Sequence, residues 1–332
     1  GGVFFGKAWD ELRKLVESAG IPFYTSPISR GLIEDDHELS FLAARSTALR
    51  EADVVLIVGT RLNWMMTFGG RIGPGAKLIQ IDIEQSEIGH NRSVEIGLVG
   101  DCKVVLQQLI DSGIDSDGTD VRKEWSDYLD EQNQSRLLRA QPNLNSDQVP
   151  IHPLRLCNEI DKFLDRDAIV TVDGNEILHY GRQSINTYYP GHRINSGPSG
   201  CMGVGLPYAI GAKVARPDLQ VLSLHGDGSL GMNMMDFDTA VRHNLPIVVV
   251  VSNNEGWTAR VEGIRKPGRE LGFTRFELLA QALGGHGELV EEPDQIAGAL
   301  ERAFASGKPA LINVRVDPTA RAISRFVGSK ME

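Results

Sequence analysis

The chain has 332 residues, with 34 Lys and Arg against 44 Asp and Glu, for a formal net charge of −10. That length suffices for two domains of the usual ~100–200 residues, and an acidic balance without a Lys/Arg-rich block gives no face for a phosphodiester backbone, so nucleic acid is not an expected partner. No run of ~18 apolar residues is present and the three cysteines (Cys102, Cys157, Cys201) form no C-x-x-C, so no membrane span, zinc site or disulfide framework is expected and a reducing cytoplasm is.

The chain opens on "GGVFFGKAWDELRKL", which has neither the basic start nor the apolar core of a signal peptide. A glycine pair without Met reads as the end of a strand-to-helix turn, so the sequence reads as a fragment entered at that turn. Apolar β-branched runs follow at 54–58 (VVLIV), 78–83 (LIQIDI), 168–172 (AIVTV), 221–224 (VLSL), 247–251 (IVVVV) and 310–314 (ALINV). Being continuous rather than alternating, they fit strands buried on both faces of parallel sheets. Amphipathic stretches of helical length lie between them, at 8–20, 102–113, 153–164 and 294–307. Alternating strand and helix define an α/β class. Polar breaks at 111–120 and 141–150 divide the chain into a first α/β domain over 1–120, a linker with its own helix over 121–150, and a second α/β domain over 151–332.

The most informative stretch is "HGDGSLGMNM" at 225–234. Gly226-Asp227-Gly228 lies just past a parallel strand, where loops of α/β sheets bind ligands. The segment 230–244 supplies about three helical turns, and Leu245-Pro246 stops it. A right-handed crossover then brings Ser252-Asn253-Asn254, at the end of the next strand, beside Asp227. A carboxylate and a neutral amide oxygen suit Mg²⁺, which completes its octahedron with phosphate and water. The glycines let backbone N–H groups, Ser229 included, approach an anion, and a helix starting near Leu230 would point its positive end there. The pair predicts a diphosphate held through Mg²⁺; an ordinary turn is the plain alternative.

With 24 residues between Gly228 and Asn253, the pattern resembles the G-D-G…N-N signature of thiamin-diphosphate-dependent enzymes. The resemblance implies two doubly wound parallel-sheet α/β domains, the cofactor thiamin diphosphate, and Mg²⁺ bound by Asp227, Asn254 and the Gly256 carbonyl. The segment 197–215, GPSGCMGVGLPYAIGAKVA, resembles the family element that grips the aminopyrimidine. By that resemblance the Gly200 carbonyl accepts from the 4′-amino group, the Met202 N–H donates to the ring, and the Met202 side chain forces the bent cofactor shape. Asn175, in "VDGNEI", ends a third strand at the same edge and is a further candidate for the diphosphate. His225 reads as packing or a cofactor contact rather than a metal ligand.

"VGTRLNWMMTFGG" (58–70) and "LIQIDIEQSEIGHNRSVEIGLVGD" (78–101) resemble the central domain of the oxalyl-CoA decarboxylase and 2-hydroxyacyl-CoA lyase branch, with Arg-Leu-Asn-Trp at 61–64 most telling. Asp82 at a strand end could accept both ribose hydroxyls and Arg61 could meet a phosphate, so ADP or part of CoA is the expected occupant; a loop cap and a surface ion pair are the alternatives. The basic tail residues Arg321, Arg325 and Lys330 suit the phosphates of CoA, or form a solvated terminus.

The resemblance implies a 2-hydroxyacyl-CoA lyase, cleaving a C–C bond to give a carbonyl compound and formyl-CoA or running in reverse. Oxalyl-CoA decarboxylase is the rival, then an acetolactate-synthase-like condensing enzyme, and outside catalysis a nucleotide-binding regulatory protein that keeps the fold. Glu255, between two ligand positions, would repel the terminal carboxylate of oxalyl-CoA and could move the proton of a 2-hydroxyl group, or else turns outward. The family's Glu at the pyrimidine N1′ belongs to an N-terminal domain of the same or a neighbouring subunit. A homodimer or homotetramer acting on acyl-CoA is therefore expected, without activity for residues 1–332 alone.

Overall fold

The structure, a computed structural model, describes residues 1–113, 119–264 and 266–322. The chain divides into two compact units, Gly1–Arg139 with Thr187–Gly191, and Ala140–Asn186 with His192–Glu332. Part of the first polar break, 114–118, lies outside the described residues, and the helix Thr119–Leu144 runs from the first unit into the second.

The first unit is built on a parallel sheet of β1 (Val54–Val58), β2 (Lys77–Asp82) and β3 (Ile96–Val99), in that spatial order. The helices Trp9–Ala19 and Cys102–Asp111 contribute Leu15, Val105 and Leu106 to one core with Ile81. A second core holds Leu49, Ile57, Leu62 and Leu78. Alternate strand residues thus enter two cores, which explains runs without polar alternation.

The second unit carries six parallel strands, β4 (Ile169–Asp173), β5 (Arg193–Ile194), β6 (Val221–Gly226), β7 (Val248–Asn253), β8 (His286–Val290) and β9 (Ala310–Arg315), ordered β5-β4-β6-β7-β9-β8. Val170, Val172, Val248 and Val250 pack with the helices Pro153–Phe163, Glu176–Ser184 and Gln295–Ala305. Ile169, Val249 and Val251 pack on the other side with Gly205–Ala215, Asp236–Arg242 and Phe276–Ala282. The sheet is doubly wound. Each buried Val or Leu of these cores contributes roughly 1.5–3 kcal/mol of transfer free energy. Chain order reverses between β4 and β6, because β4 leads outward to β5 on one side while β6 begins the run on the other.

Two expectations change. The helix after β6 starts at Asp227, not near Leu230, and it ends at Asn233; a second helix runs over Asp236–Arg242. Gly231 and Asn233 are weak helix formers, the Asn233 side-chain amide donates to Asp236 Oδ2 at 3.2 Å, and Phe237 N–H turns back to the Met234 carbonyl at 3.0 Å. The strands β3, β5 and β8 were also absent from the apolar runs. Among the described residues no helix is long and apolar enough to cross a membrane.

Candidate active site

Sheet topology sets the site. The loops after β4 and β6 flank the reversal point, the place where open α/β sheets bind ligands, and the turn after β7 joins them. One cavity there is lined by Asn175, Met202, Gly226, Asp227, Gly228, Ser229, Asn254 and Gly256, all expected from the sequence, together with Glu176, Tyr180 and Trp257.

Asp227 is 4% exposed. Burial pushes its carboxyl up to about 6, against the pull of N–H donors from Gly228 and Gly256 and of the Arg269 charge. Gly228 N–H donates to Oδ1 at 2.9 Å and Gly256 N–H to Oδ2 at 2.8 Å. The Asn254 side-chain amide lies 2.7 Å from the Gly256 carbonyl oxygen and 3.2 Å from Asp227 Oδ1. With its nitrogen toward them it donates to both. With its oxygen toward them, oxygens from Asp227, Asn254 and Gly256 face one another, an arrangement that a bound cation would hold. Separations near 3 Å suit adjacent ligands of a small hard cation at ~2.1 Å. The donor set therefore fits Mg²⁺. Among the described residues no three His, Cys, Asp or Glu side chains cluster as a metal site, so this oxygen set rests on one charged ligand.

Asn253, at the buried end of β7, shapes the turn. Its Oδ1 accepts from Glu255 N–H at 3.2 Å, and its Nδ2 donates to Thr274 O and to Asn313 Oδ1, each at 3.1 Å. Asn313 on β9 in turn donates to Glu277 Oε2 at 2.7 Å, and Glu277 is paired with Arg275. The turn bends tightly enough to put Glu255 at φ +60°, a left-handed conformation uncommon for a residue with a side chain.

Trp257 closes over Gly228. A Cβ at 228 would lie 2.6 Å from the indole, so the position requires glycine. Behind Asp227, the buried His225 ring lies between Ser223 Oγ (2.8 Å from Nε2) and Ser229 Oγ (3.4 Å from Nδ1), and burial holds its pKa well below the usual value. The Ser229 hydroxyl also lies 3.0 Å from the Asp173 carbonyl and 3.1 Å from that of Gly226, so it ties β4 to β6.

The other expected residues lie elsewhere. Gly200, at φ +64°, is exposed two positions from Met202 and does not line the cavity. Glu255 is not in the cavity wall either: its carboxylate oxygens stand 3.8 Å from Arg260 and 3.8 Å from Arg315. In the first unit, Arg61 pairs with Glu87 at 3.1 Å, and Asp82 accepts from Glu84 N–H at 3.0 Å. Those are the ion pair and loop cap named as alternatives to a nucleotide site. Arg321 is exposed, while Arg325 and Lys330 lie outside the described residues.

Sequence reading passed over Arg269, Glu277 and Asn313. Arg269 sits in a Gly- and Pro-containing stretch with no motif, and Glu277 and Asn313 are polar groups inside otherwise ordinary helix and strand patterns. Trp257 follows directly on Gly256, and nothing in the sequence signals its contact with Gly228.

This is a doubly wound α/β protein with an oxygen-lined cavity at the reversal point of its larger sheet. Residues 1–109 match the family model described as "Thiamine pyrophosphate enzyme, central domain", and 178–314 match "Thiamine pyrophosphate enzyme, C-terminal TPP binding domain". The chain belongs to the thiamine pyrophosphate enzyme family. It is 40% identical over 328 residues to a "Probable acetolactate synthase" of Mycobacterium bovis, covering 96% of this chain and 58% of that protein. It is 35% identical to a 2-hydroxyacyl-CoA lyase of Arabidopsis thaliana, over 97% of this chain and 59% of the relative. With an oxalyl-CoA decarboxylase of Escherichia coli the identity is 33%, over 96% and 58%. The chain thus spans somewhat under three fifths of the length of these relatives.

Proposed function

We propose that this chain carries the cofactor-holding part of a thiamin-diphosphate- and Mg²⁺-dependent enzyme that cleaves 2-hydroxyacyl-CoA to a carbonyl compound and formyl-CoA, or joins them in reverse. The observation that carries the reading is the meeting of the Asn254 side-chain amide with the Gly256 carbonyl at 2.7 Å and with Asp227 Oδ1 at 3.2 Å, in the wall of the cavity at the sheet reversal. Asp227 would supply the one negative charge to the cation, Asn254 and the Gly256 carbonyl its neutral ligands, and the loop N–H groups beside Ser229 and Asn175 would meet the diphosphate. Met202 in the cavity wall, with Gly200 beside it, would hold the aminopyrimidine, as the family resemblance implies. Bound thiamin diphosphate would supply an electron sink for the pair released when a C–C bond beside a carbonyl breaks. Trp257 would help to exclude water. The expected partners are an acyl-CoA substrate and further copies of the chain.

The acyl-CoA reading is supported by the Arg61–Trp64 segment and by the 2-hydroxyacyl-CoA lyase relatives in plants and mammals. Acetolactate-synthase-like condensation is the second reading, favoured by the 40% identity to mycobacterial relatives of that name. The test supplies the full-length protein, thiamin diphosphate and Mg²⁺ with a 2-hydroxyacyl-CoA, with oxalyl-CoA or with pyruvate. Formyl-CoA from the first is the expected result. Acetolactate from pyruvate alone would replace the first reading by the second.

A further inference from the structure

We propose that Arg269 is the positioning residue of the metal-binding turn, taking up three of its carbonyls and leaving that of Gly256 for the cation. The inference rests on the metal reading of Asp227, Asn254 and Gly256.

Arg269 is 5% exposed. Its Nε donates to the Thr258 carbonyl at 2.7 Å, Nη1 to that of Glu255 at 3.3 Å, and Nη2 to that of Asn254 at 3.4 Å. No carboxylate is within ion-pair reach of it among the described residues, so a buried guanidinium is spent on backbone oxygens of a single turn. A planar fork with donors at fixed angles can hold several carbonyls at once, which an ammonium cannot. The same segment is also bound through its backbone: Trp257 N–H donates to the Arg269 carbonyl at 3.1 Å, and Leu271 N–H to that of Glu255 at 3.0 Å.

The consequence is a choice among oxygens. A turn of this length presents several carbonyls, and the cation needs one aimed at Asp227 and Asn254. With the carbonyls of 254, 255 and 258 turned to the guanidinium, the Gly256 carbonyl faces the Asn254 side chain at 2.7 Å. The fit is close on the other side too, since a Cβ at 256 would lie 2.6 Å from Arg269 Cζ. The Arg269 backbone carbonyl would lie 2.7 Å from the same carbon, so the backbone and guanidinium of Arg269 together require glycine at 256, independently of its own carbonyl.

The experiment uses the full-length protein and its Arg269→Ala and Arg269→Lys variants. Each is titrated calorimetrically with Mg²⁺ at saturating thiamin diphosphate and with thiamin diphosphate at saturating Mg²⁺, and Arg269→Ala is titrated again with methylguanidinium present. Loss of several charge-assisted hydrogen bonds should raise the Mg²⁺ Kd of Arg269→Ala about tenfold or more. Methylguanidinium should recover part of that loss and leave the wild type unchanged, which a general loss of packing would not allow. If Arg269→Ala does not fold, Arg269→Lys decides: a Kd raised about threefold or more supports the role, and one within about 1.5-fold overturns it. A wild type that binds while Arg269→Ala stays within about twofold of it overturns this inference alone. A wild type that binds no Mg²⁺ with thiamin diphosphate overturns it together with the functional reading.

Discussion

The Gly256 N–H donates to Asp227 Oδ2 at 2.8 Å, joining the turn after β7 to the first residue beyond β6. Two positions 29 apart in sequence are thereby fixed relative to each other by a bond that does not involve the cation. A site assembled in this way loses little ordering entropy on binding. The price is a carboxylate kept out of water, whose carboxyl is pushed up to about 6.

Gly228 should tolerate no side chain. An added methyl would meet Trp257 at 2.6 Å, and overpacking of this kind costs about 1–3 kcal/mol. Gly228→Ala should lower the melting temperature and weaken cofactor binding, and Trp257→Ala in the same chain should restore part of the stability. Equal melting temperatures for wild type and Gly228→Ala would show that the indole moves aside freely.

The chain from Asn253 through Asn313 to Glu277 should matter to the site although none of these residues lines the cavity. Glu277→Ala leaves Asn313 Nδ2 with the Thr274 carbonyl at 3.0 Å as its acceptor, and removing one partner of a buried hydrogen bond costs about 1–3 kcal/mol. Chemical denaturation should report that loss, while Glu277→Gln, which keeps an acceptor oxygen, should recover most of it. A neutral Glu277→Ala would mean that the amide pair of Asn253 and Asn313 is self-sufficient.

Stability should fall on the acid side because of His225. Burial holds its folded pKa well below the usual value of 6.5, so between the two values the unfolded chain takes up a proton that the folded chain refuses. The contribution is intact above pH 6.5 and is lost as pH falls from there toward the folded value. Melting temperatures at pH 7.5 and 5 should therefore differ less in His225→Gln than in the wild type. An identical difference in both would assign the acid sensitivity to other groups.

Glu255→Gln should leave Mg²⁺ and thiamin diphosphate affinity within about twofold and leave the shape of the pH–rate profile unchanged, because its carboxylate is directed to Arg260 and Arg315. A lost limb in the profile of Glu255→Gln would show that the side chain leaves those arginines during turnover and moves a proton.

Central strands were readable because positions 248–251 are buried and must be apolar, and the observed limits of Val54–Val58 and Val248–Asn253 lie close to the apolar runs. Edge strands escape such reading. β8, His286–Val290, lies at one edge of its sheet and needs no continuous apolar run; β5 is two residues long; and β3 has a glycine at 97 and exposed Ile96 and Val99. The meeting of Asp227 with the turn at 254–256 was legible from G-D-G and N-N because one βαβ unit brings both ends to the same sheet edge. Arg269 was not. It reaches the turn from a segment whose only local signals are Pro267 and Gly268, and a contact between a guanidinium and backbone carbonyls leaves no pattern in side-chain type. Glu255 shows the same limit from the other direction, since neighbouring ligand positions do not determine which way the residue between them points.

The most direct measurement is calorimetric titration of thiamin diphosphate into the full-length protein and into its Asp227→Ala variant, each with Mg²⁺ and with EDTA. Asp227 is the one charged member of the oxygen set, and the neutral oxygens of Asn254 and Gly256 alone would hold too weakly the cation that offsets the diphosphate's charge. The account predicts binding by the wild type that requires Mg²⁺, and none by Asp227→Ala with or without the metal. Undiminished, Mg²⁺-dependent binding by Asp227→Ala would contradict it.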